Sequence, residues 1–146
     1  MNNSNRKFLV FSLQDSLYAL DVADVAEVAD PPQMWPIPLA PAYYAGVLSF
    51  HGDIVAAMIL SRFLGLRQQH QPGKIVVLRQ EVASLAFLVD SIIRIACEEE
   101  VSFSSPPDSV FAQSTLTIIE GTAIQLDLKK LMCALENDMQ GANQGQ

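Results

Sequence analysis

The chain has 146 residues, of which half are apolar and 17% are charged, with a formal net charge of −7 at pH 7. A chain of this length buries roughly 70% of its unfolded surface, which predicts one domain with its own core. Binding to phosphate backbones needs clustered cations, and the nine Lys and Arg residues are scattered, so nucleic acid and anionic membranes are poor partners.

The first two β-rich runs, 7–13 and 17–22, are joined by a short polar turn and predict a hairpin. The stretch ADVAEVAD follows and carries valines three residues apart. This spacing predicts either a turn of helix or an irregular connector with one apolar side. The valines are Val22, Val25 and Val28.

Five of the eight prolines lie within 31–41, which predicts an extended, ordered connection because proline disfavours helix. Residues 46–60 then form a second predicted hairpin, with its bend at His51-Gly52-Asp53. A short helix over 61–66 comes next, and we expect Ser61 to cap its first turn.

After the polar loop 67–73 the pattern starts again. The predicted elements are a hairpin (74–80 and 84–90), an apolar connector (90–96), a polar crossing (98–109), a hairpin (115–119 and 123–128) and a helix (129–139). One face of that helix carries Leu128, Leu131, Met132 and Leu135.

The order of hairpin, connector, crossing, hairpin and short helix therefore occurs twice, with the boundary of the repeat near 67–73. This indicates two similar small β units that pack together and hide their strand edges. Neither half contains enough core material to be stable alone, so we expect one cooperative domain over 7–139. Residues 1–6 and 140–146 are expected to be disordered.

Reactive side chains are few and dispersed. Cys97 and Cys133 form no CxxC motif, so two reduced thiols are favoured, although the sequence leaves an oxidised pair open. His70 lies in the polar loop and is expected to be solvated, as is the acidic run 98–100. The histidines and cysteines show no spacing typical of metal ligands, so we expect no metal and no cofactor.

The bend at 51–53 could carry catalysis if Asp53 oriented His51 as a base. No Ser or Cys near it stands in a nucleophile-elbow sequence, however. A hairpin tip that contacts another protein is therefore favoured, and we expect no enzyme. A small hydrolase that uses His51 and Asp53 remains a remote alternative.

Several apolar residues could serve either the core or a partner. For the three valines of ADVAEVAD the two roles are about equally favoured, and Glu27 among them should be exposed. Met34 and Trp35 are favoured as a plug over the core, although tryptophan is enriched at binding hot spots. If Tyr43 and Tyr44 are extended, one should face inward and the other outward.

Taken in order, these segments resemble the CheW-like coupling domains of bacterial chemotaxis over about residues 7–135. FLVFSLQDSLYALDVADVAEVAD resembles the opening strands of that family, with Val25, Glu27 and Val28 on its V-x-E-φ pattern. The segment IPLAPAYYAGVLSFHG resembles the one that ends in G-V-x-N-φ-R-G. IVAAMIL and LVDSIIRI stand where the family shows I-V-P-φ-φ-D-L and V-D-x-φ-x-x-φ.

The chain departs from the family pattern at the second hairpin. His51 stands where the family has arginine, and Leu60 stands where it has aspartate, while Ala56 or Ala57 replaces its proline. Arginine is a permanent planar cation, whereas histidine is mostly neutral near neutral pH. We hypothesise that the charges at positions 51 and 60 were lost together, because a single buried charge is costly.

The resemblance implies a mainly β fold with two five-stranded SH3-like barrels and short helices, including one at the C-terminus. It implies a non-catalytic adaptor between the regulatory domain of a CheA-type histidine kinase and the cytoplasmic tip of methyl-accepting chemotaxis receptors. The kinase would contact barrel ends, and the receptor's helical hairpin would lie in a groove between the subdomains. The partner-binding residues carried over are Val22, Val25, Glu27, Val28, Phe50, His51 and Gly52.

The loss of the arginine favours an alternative within the same class, a divergent paralogue in a non-flagellar or auxiliary signalling array. No apolar run approaches the ~20 residues needed to cross a bilayer, and the apolar run after MNNSNRK is too short for a signal peptide. We therefore expect a cytoplasmic protein that is recruited to receptor arrays without inserting into the membrane.

Overall fold

A computed structural model describes the backbone of residues 6–67 and 71–144 and the side chains through residue 138. The expectations for residues 1–5, for His70 and for the last two residues lie outside the described residues.

The elements alternate between strands and short connections. In chain order the strands are β1 (Lys7–Leu13), β2 (Ser16–Asp21), β3 (Val25–Ala29), β4 (Tyr44–Phe50), β5 (Asp53–Ile59), β6 (Lys74–Leu78), β7 (Leu85–Val89), β8 (Ser91–Cys97), β9 (Ser102–Ser104), β10 (Ala112–Ile118) and β11 (Gly121–Leu126). The α-helices are α1 (Leu60–Phe63) and α2 (Leu128–Gln144), and 3₁₀ turns occur at Val22–Asp24 and Glu98–Glu100.

The strands form two sheets, which we call the six-stranded lobe and the five-stranded lobe. The six-stranded lobe has the order β8-β1-β2-β11-β10-β9, and the five-stranded lobe has the order β3-β6-β7-β5-β4. Strand neighbours are antiparallel except for the pairs β2–β11 and β5–β7, which are parallel.

Both parallel pairs join strands from different halves of the chain. β1 and β2 share a sheet with β8, β9, β10 and β11, whereas β6 and β7 share a sheet with β3, β4 and β5. The predicted repeat is thus visible in the topology, but its two halves are interlaced, with the opening hairpin of each half completing the sheet of the other. The repeat boundary near 67–73 is therefore not a boundary between the lobes.

The two β subdomains agree with the expected fold class, with two differences in detail. One lobe has six strands, because three residues of the predicted polar crossing pair with β10 as β9. Within the described residues, neither sheet is closed into a barrel by hydrogen bonds between its two end strands.

The largest group of buried side chains lies between the lobes. It contains residues of both sheets, such as Phe11 and Phe87, and it includes Leu131 and Leu135 of α2. Smaller clusters fill each lobe, with Phe8 in the six-stranded lobe and Leu48 in the five-stranded lobe. Because the main core belongs to both lobes, we expect them to unfold together.

Two predicted connectors are strands. Residues 25–29 form β3, where a bulge between Val25 and Glu27 adds one residue within the three-residue spacing of Val25 and Val28. Residues 91–97 form β8, where a register shift opposite Val10 and Phe11 interrupts the two-residue alternation. In both cases the bulge masks the period from which a strand would be predicted.

Both helices differ from the prediction at their ends. α1 begins at Leu60 with Ile59 at the cap position, so Ser61 is buried in the first turn and does not cap it. α2 continues to Gln144, beyond residue 139 where we expected the ordered domain to end.

Candidate functional site

The bend at 51–53 is a two-residue hairpin turn. Phe50 and Asp53 form the last pair of the β4–β5 ladder, and His51 and Gly52 between them have φ angles of 50° and 87°. Positive φ at both central positions is typical of a type I′ turn, which matches the twist of the flanking strands. The turn therefore projects the His51 side chain from the end of the five-stranded lobe.

The structure brings together two residues of the predicted partner site, Glu27 and His51. The Nε2 atom of His51 lies 3.3 Å from Oε1 of Glu27. The His51 ring packs edge-on against the Phe50 ring, with the ring centroids 4.2 Å apart. Glu27 lies on β3 and the turn follows β4, and these are the two end strands of this sheet. A side-chain contact therefore links strands that no backbone ladder joins.

This geometry does not support the remote hydrolase reading. The carboxylate that contacts His51 is that of Glu27, whereas the reading required Asp53. The His51 side chain is 72% exposed, which suits contact with a partner better than a desolvated catalytic base.

The hypothesis of a charge pair between positions 51 and 60 is wrong. His51 lies at the exposed end of β5, and Leu60 is fully buried just beyond the other end. At about 3.3 Å per residue the two positions are roughly 20 Å apart. The residue that would face an arginine at position 51 is Glu27.

The valines of the predicted site differ in their surroundings. Val22 and Val25 are partly buried against the core between the lobes, so their packing role is substantial. Val28 is 36% exposed on β3. Ile54, which sequence reasoning missed, is 66% exposed beside the turn. It stands in a continuous apolar run, which gives no sign of which residues face outward.

The six-stranded lobe carries an ion pair at the equivalent place. Arg94 of β8 donates two hydrogen bonds to Glu120 in the β10–β11 turn, at 2.7 and 3.1 Å, and its Nη1 lies 2.9 Å from Glu100. The hydrogen bond to Glu120, and after it the one to Glu100, raises the pKa of Arg94. The same hydrogen bond from Arg94 lowers the pKa of Glu120. Ile119 in the same turn is 96% exposed.

Both lobes therefore place a contact between two ionisable side chains at an end strand and the tip of a hairpin. Sequence reasoning missed the Arg94–Glu120 pair, since the two residues are far apart in the chain and neither belongs to a motif. The contact in the five-stranded lobe is longer and depends on the protonation of a histidine, whereas the other is bidentate and permanent.

The proline-rich segment covers the outer edge of β4. Trp35 and Val47 exchange two backbone hydrogen bonds of 2.9 and 2.7 Å. Met34 packs against the core of the five-stranded lobe, but Trp35 is 50% exposed and is only partly the plug that we expected.

The adjacent tyrosines do not face opposite ways. Both are half-buried, with ring centroids 5.2 Å apart, because Tyr43 precedes the first residue of β4. The Tyr43 hydroxyl donates a 2.7 Å hydrogen bond to Asp138 of α2. Burial and this bond raise the pKa of Tyr43.

Neither a metal cluster nor a membrane-spanning helix is found in the part of the chain that the structure describes. Cys97 is half-buried and Cys133 is exposed, and both are free.

The model of the CheW-like domain matches residues 7–136. The chain belongs to this family. Curated relatives named chemotaxis protein CheW include that of Treponema pallidum, 27% identical over 93% of this chain and 87% of the relative, and that of Rhizobium meliloti, 26% identical over 86% of each. The crystal structure of the scaffolding protein TtCheW from Thermoanaerobacter tengcongensis superposes with a TM-score of 0.73 at 22% identity, over 84% of this chain and 88% of that one. The family resemblance is confirmed, as is the mainly β fold.

Proposed function

We propose that this chain is a non-catalytic adaptor that couples chemoreceptors to a CheA-type histidine kinase on the cytoplasmic side of the membrane. The observation that carries the proposal is the family match over 7–136, a range that includes both lobes. The curated relatives are named as chemotaxis proteins, and the similar solved structure is described as a scaffolding protein. An adaptor of this kind contributes binding energy and fixed spacing, and it raises the effective concentration of one partner near the other.

The surface around the β4–β5 turn is the proposed contact with the kinase. It consists of the turn residues Phe50, His51 and Gly52 together with Glu27 and Val28 of β3, and we add Ile54. Exposed apolar side chains beside polar groups are typical of protein interfaces. Val22 and Val25 would act mainly by holding β3 in place, because they pack against the core between the lobes.

A pull-down with the kinase's regulatory domain and a soluble receptor tip tests this surface. Val28→Asp should abolish capture of the kinase domain, since it places a charge inside an apolar contact. Leu39→Asp is the matched control, because Leu39 is 94% exposed on the same lobe and its φ of 62° is tolerated by aspartate. Equal capture by Val28→Asp and by the unchanged protein would show that this surface is not the contact.

A second candidate function, an adaptor of an auxiliary or non-flagellar array, is favoured by the Glu27–His51 contact. At 3.3 Å and with both groups exposed, this contact is weaker than an arginine–glutamate pair would be. Expression in a strain that lacks its usual coupling protein separates the two candidates. Restored chemotaxis supports the first, and restoration only by His51→Arg supports the second.

A further inference from the structure

The contact between Glu27 and His51 contains an imidazole, the side chain that ordinarily changes its charge between about pH 5 and pH 8. The Nε2 atom of His51 lies 3.3 Å from Oε1 of Glu27, and we call this pair the tip contact. A carboxylate only accepts hydrogen bonds, whereas a neutral imidazole donates from just one of its two nitrogens. Protonation makes both ring nitrogens donors and adds a positive charge, so the tip contact is stronger at lower pH.

The charged groups that flank the His51 ring are two carboxylates. Glu27 faces the ring from β3, and Asp53 follows it in the same turn at the start of β5. The sequences of β3 and β5 contain no cation, and Lys74 of β6, the strand beside β3, is bonded to Asp30 at 2.7 Å. Carboxylates are ordinarily ionised above about pH 5. Between about pH 5.5 and pH 7.5 the imidazole is therefore the group whose charge sets the strength of the tip contact.

The tip contact restrains a part of the backbone that has little other support. His51 has a φ of 50°, a left-handed conformation that costs free energy for a residue with a side chain. Its side chain is 72% exposed, so packing restrains it weakly. Phe50 and Asp53 are the last pair of the β4–β5 ladder, and β3 is not a neighbour of either strand in the sheet. Weakening the tip contact therefore loosens both the turn and its link to β3.

The equivalent contact of the six-stranded lobe does not respond to pH in this way. Arg94 donates to Glu120 at 2.7 and 3.1 Å, and a guanidinium stays charged throughout the physiological range. Acidification therefore strengthens the tip contact and leaves the Arg94–Glu120 pair unchanged. The second pair serves as an internal reference for the first.

We propose that the tip contact is a pH-sensitive switch that orders the β4–β5 turn when the pH falls and loosens it when the pH rises. The turn and Glu27 belong to the proposed kinase contact, so the regulatory role of the switch rests on the proposed function. A turn that is ordered before binding loses less conformational entropy on binding. Affinity for the kinase's regulatory domain should therefore rise as the pH falls, by about threefold for an exposed ion pair.

Amide hydrogen exchange in the isolated full chain tests the switch without a partner. The measured amides are those of Phe50 and Asp53, which flank the turn, and each rate is divided by the intrinsic rate at the same pH. Their protection should rise about threefold from about pH 7.5 to about pH 5.5, whereas protection in the β10–β11 turn should not change. His51→Gln and His51→Arg should each abolish the rise, because the first stays neutral and the second stays charged.

Unchanged protection of the β4–β5 turn between the two pH values overturns the switch. An equal rise in His51→Gln overturns it as well, because that rise would not come from the imidazole. An equal rise in Glu27→Gln would show that Glu27 is not the group that responds, and it overturns the assignment of the switch to the tip contact.

The regulatory role is measured by the affinity for the kinase's regulatory domain at the same two pH values. His51→Arg is the matched control, because any pH effect on the kinase domain itself is common to both proteins. The rise in affinity should be about threefold larger in the unchanged protein. If protection rises but affinity does not, the regulatory role is wrong and the proposed function is unaffected. If no binding occurs at either pH, the proposed function fails and the regulatory role fails with it, while the exchange result still decides the switch.

Discussion

Gly46 should be the glycine whose replacement damages the five-stranded lobe most. A Cβ atom at this position would lie 2.5 Å from the carbonyl oxygen of Trp35, and the φ angle of Gly46 is 148°. Gly46→Ala must therefore strain the backbone and push Trp35 away from Val47, which disrupts their two backbone hydrogen bonds.

The expected loss can be set against a control in the same hairpin. Backbone strain costs on the order of 1–3 kcal/mol, and each lost hydrogen bond adds about 1 kcal/mol. We expect Gly46→Ala to lower the free energy of unfolding by about 3 kcal/mol or more, which is roughly 10 °C in Tm. Gly52 has a φ of 87°, but a Cβ atom added there would have no other atom within 4 Å. Gly52→Ala should therefore lower the free energy of unfolding by only about 1–2 kcal/mol.

Urea unfolding followed by tryptophan fluorescence measures both variants, because Trp35 is the single tryptophan of the chain. Gly46→Ala should also shift the emission of the folded protein to longer wavelength, since Trp35 becomes more exposed. Equal losses for the two variants, or an unchanged emission maximum in Gly46→Ala, would refute the steric argument.

Three further predictions follow from the contacts between elements. His51→Arg should strengthen the link to Glu27 and slow amide hydrogen exchange in the β4–β5 turn at neutral pH. If the single variant His51→Arg and the double variant that adds Glu27→Gln to it exchanged at the same rate, this prediction would be contradicted. Fragments 1–69 and 70–146 should each be unfolded by circular dichroism but recover β structure when mixed, because each lobe contains strands of both halves; a folded single fragment would contradict the interlaced topology. The raised pKa of Tyr43 means that the folded state holds the phenolic proton more tightly than the unfolded state. The free energy of unfolding should therefore fall as the pH rises above about 10. Tyr43→Phe should reduce this fall when urea unfolding is measured over a series of pH values.

Local patterns in the sequence were sufficient for a large part of the fold. The hairpins β1–β2, β6–β7 and β10–β11 follow from apolar runs separated by polar turns, and the buried face of α2 follows from its helical spacing. These features depend on neighbouring residues, so their signals lie within short windows. The ordered set of motifs was also sufficient for the family, which the match over 7–136 confirms.

The tertiary structure decided which strands share a sheet. The parallel pairs β2–β11 and β5–β7 join residues from different halves of the chain, and nothing in a local window specifies such a partner. Bulges hid β3 and β8, because one inserted residue breaks the alternation that identifies a strand.

Only the folded chain revealed the contacts that connect the ends of each sheet. Glu27 meets His51, and Arg94 meets Glu120, because sheet curvature brings an end strand close to a distant hairpin tip. The sequence by itself determined most of the local elements, the family and the exposed turn at 51–52. Their pairing depended on long-range packing, since the free energy of a strand pair comes from residues on both strands and from the core that they bury together.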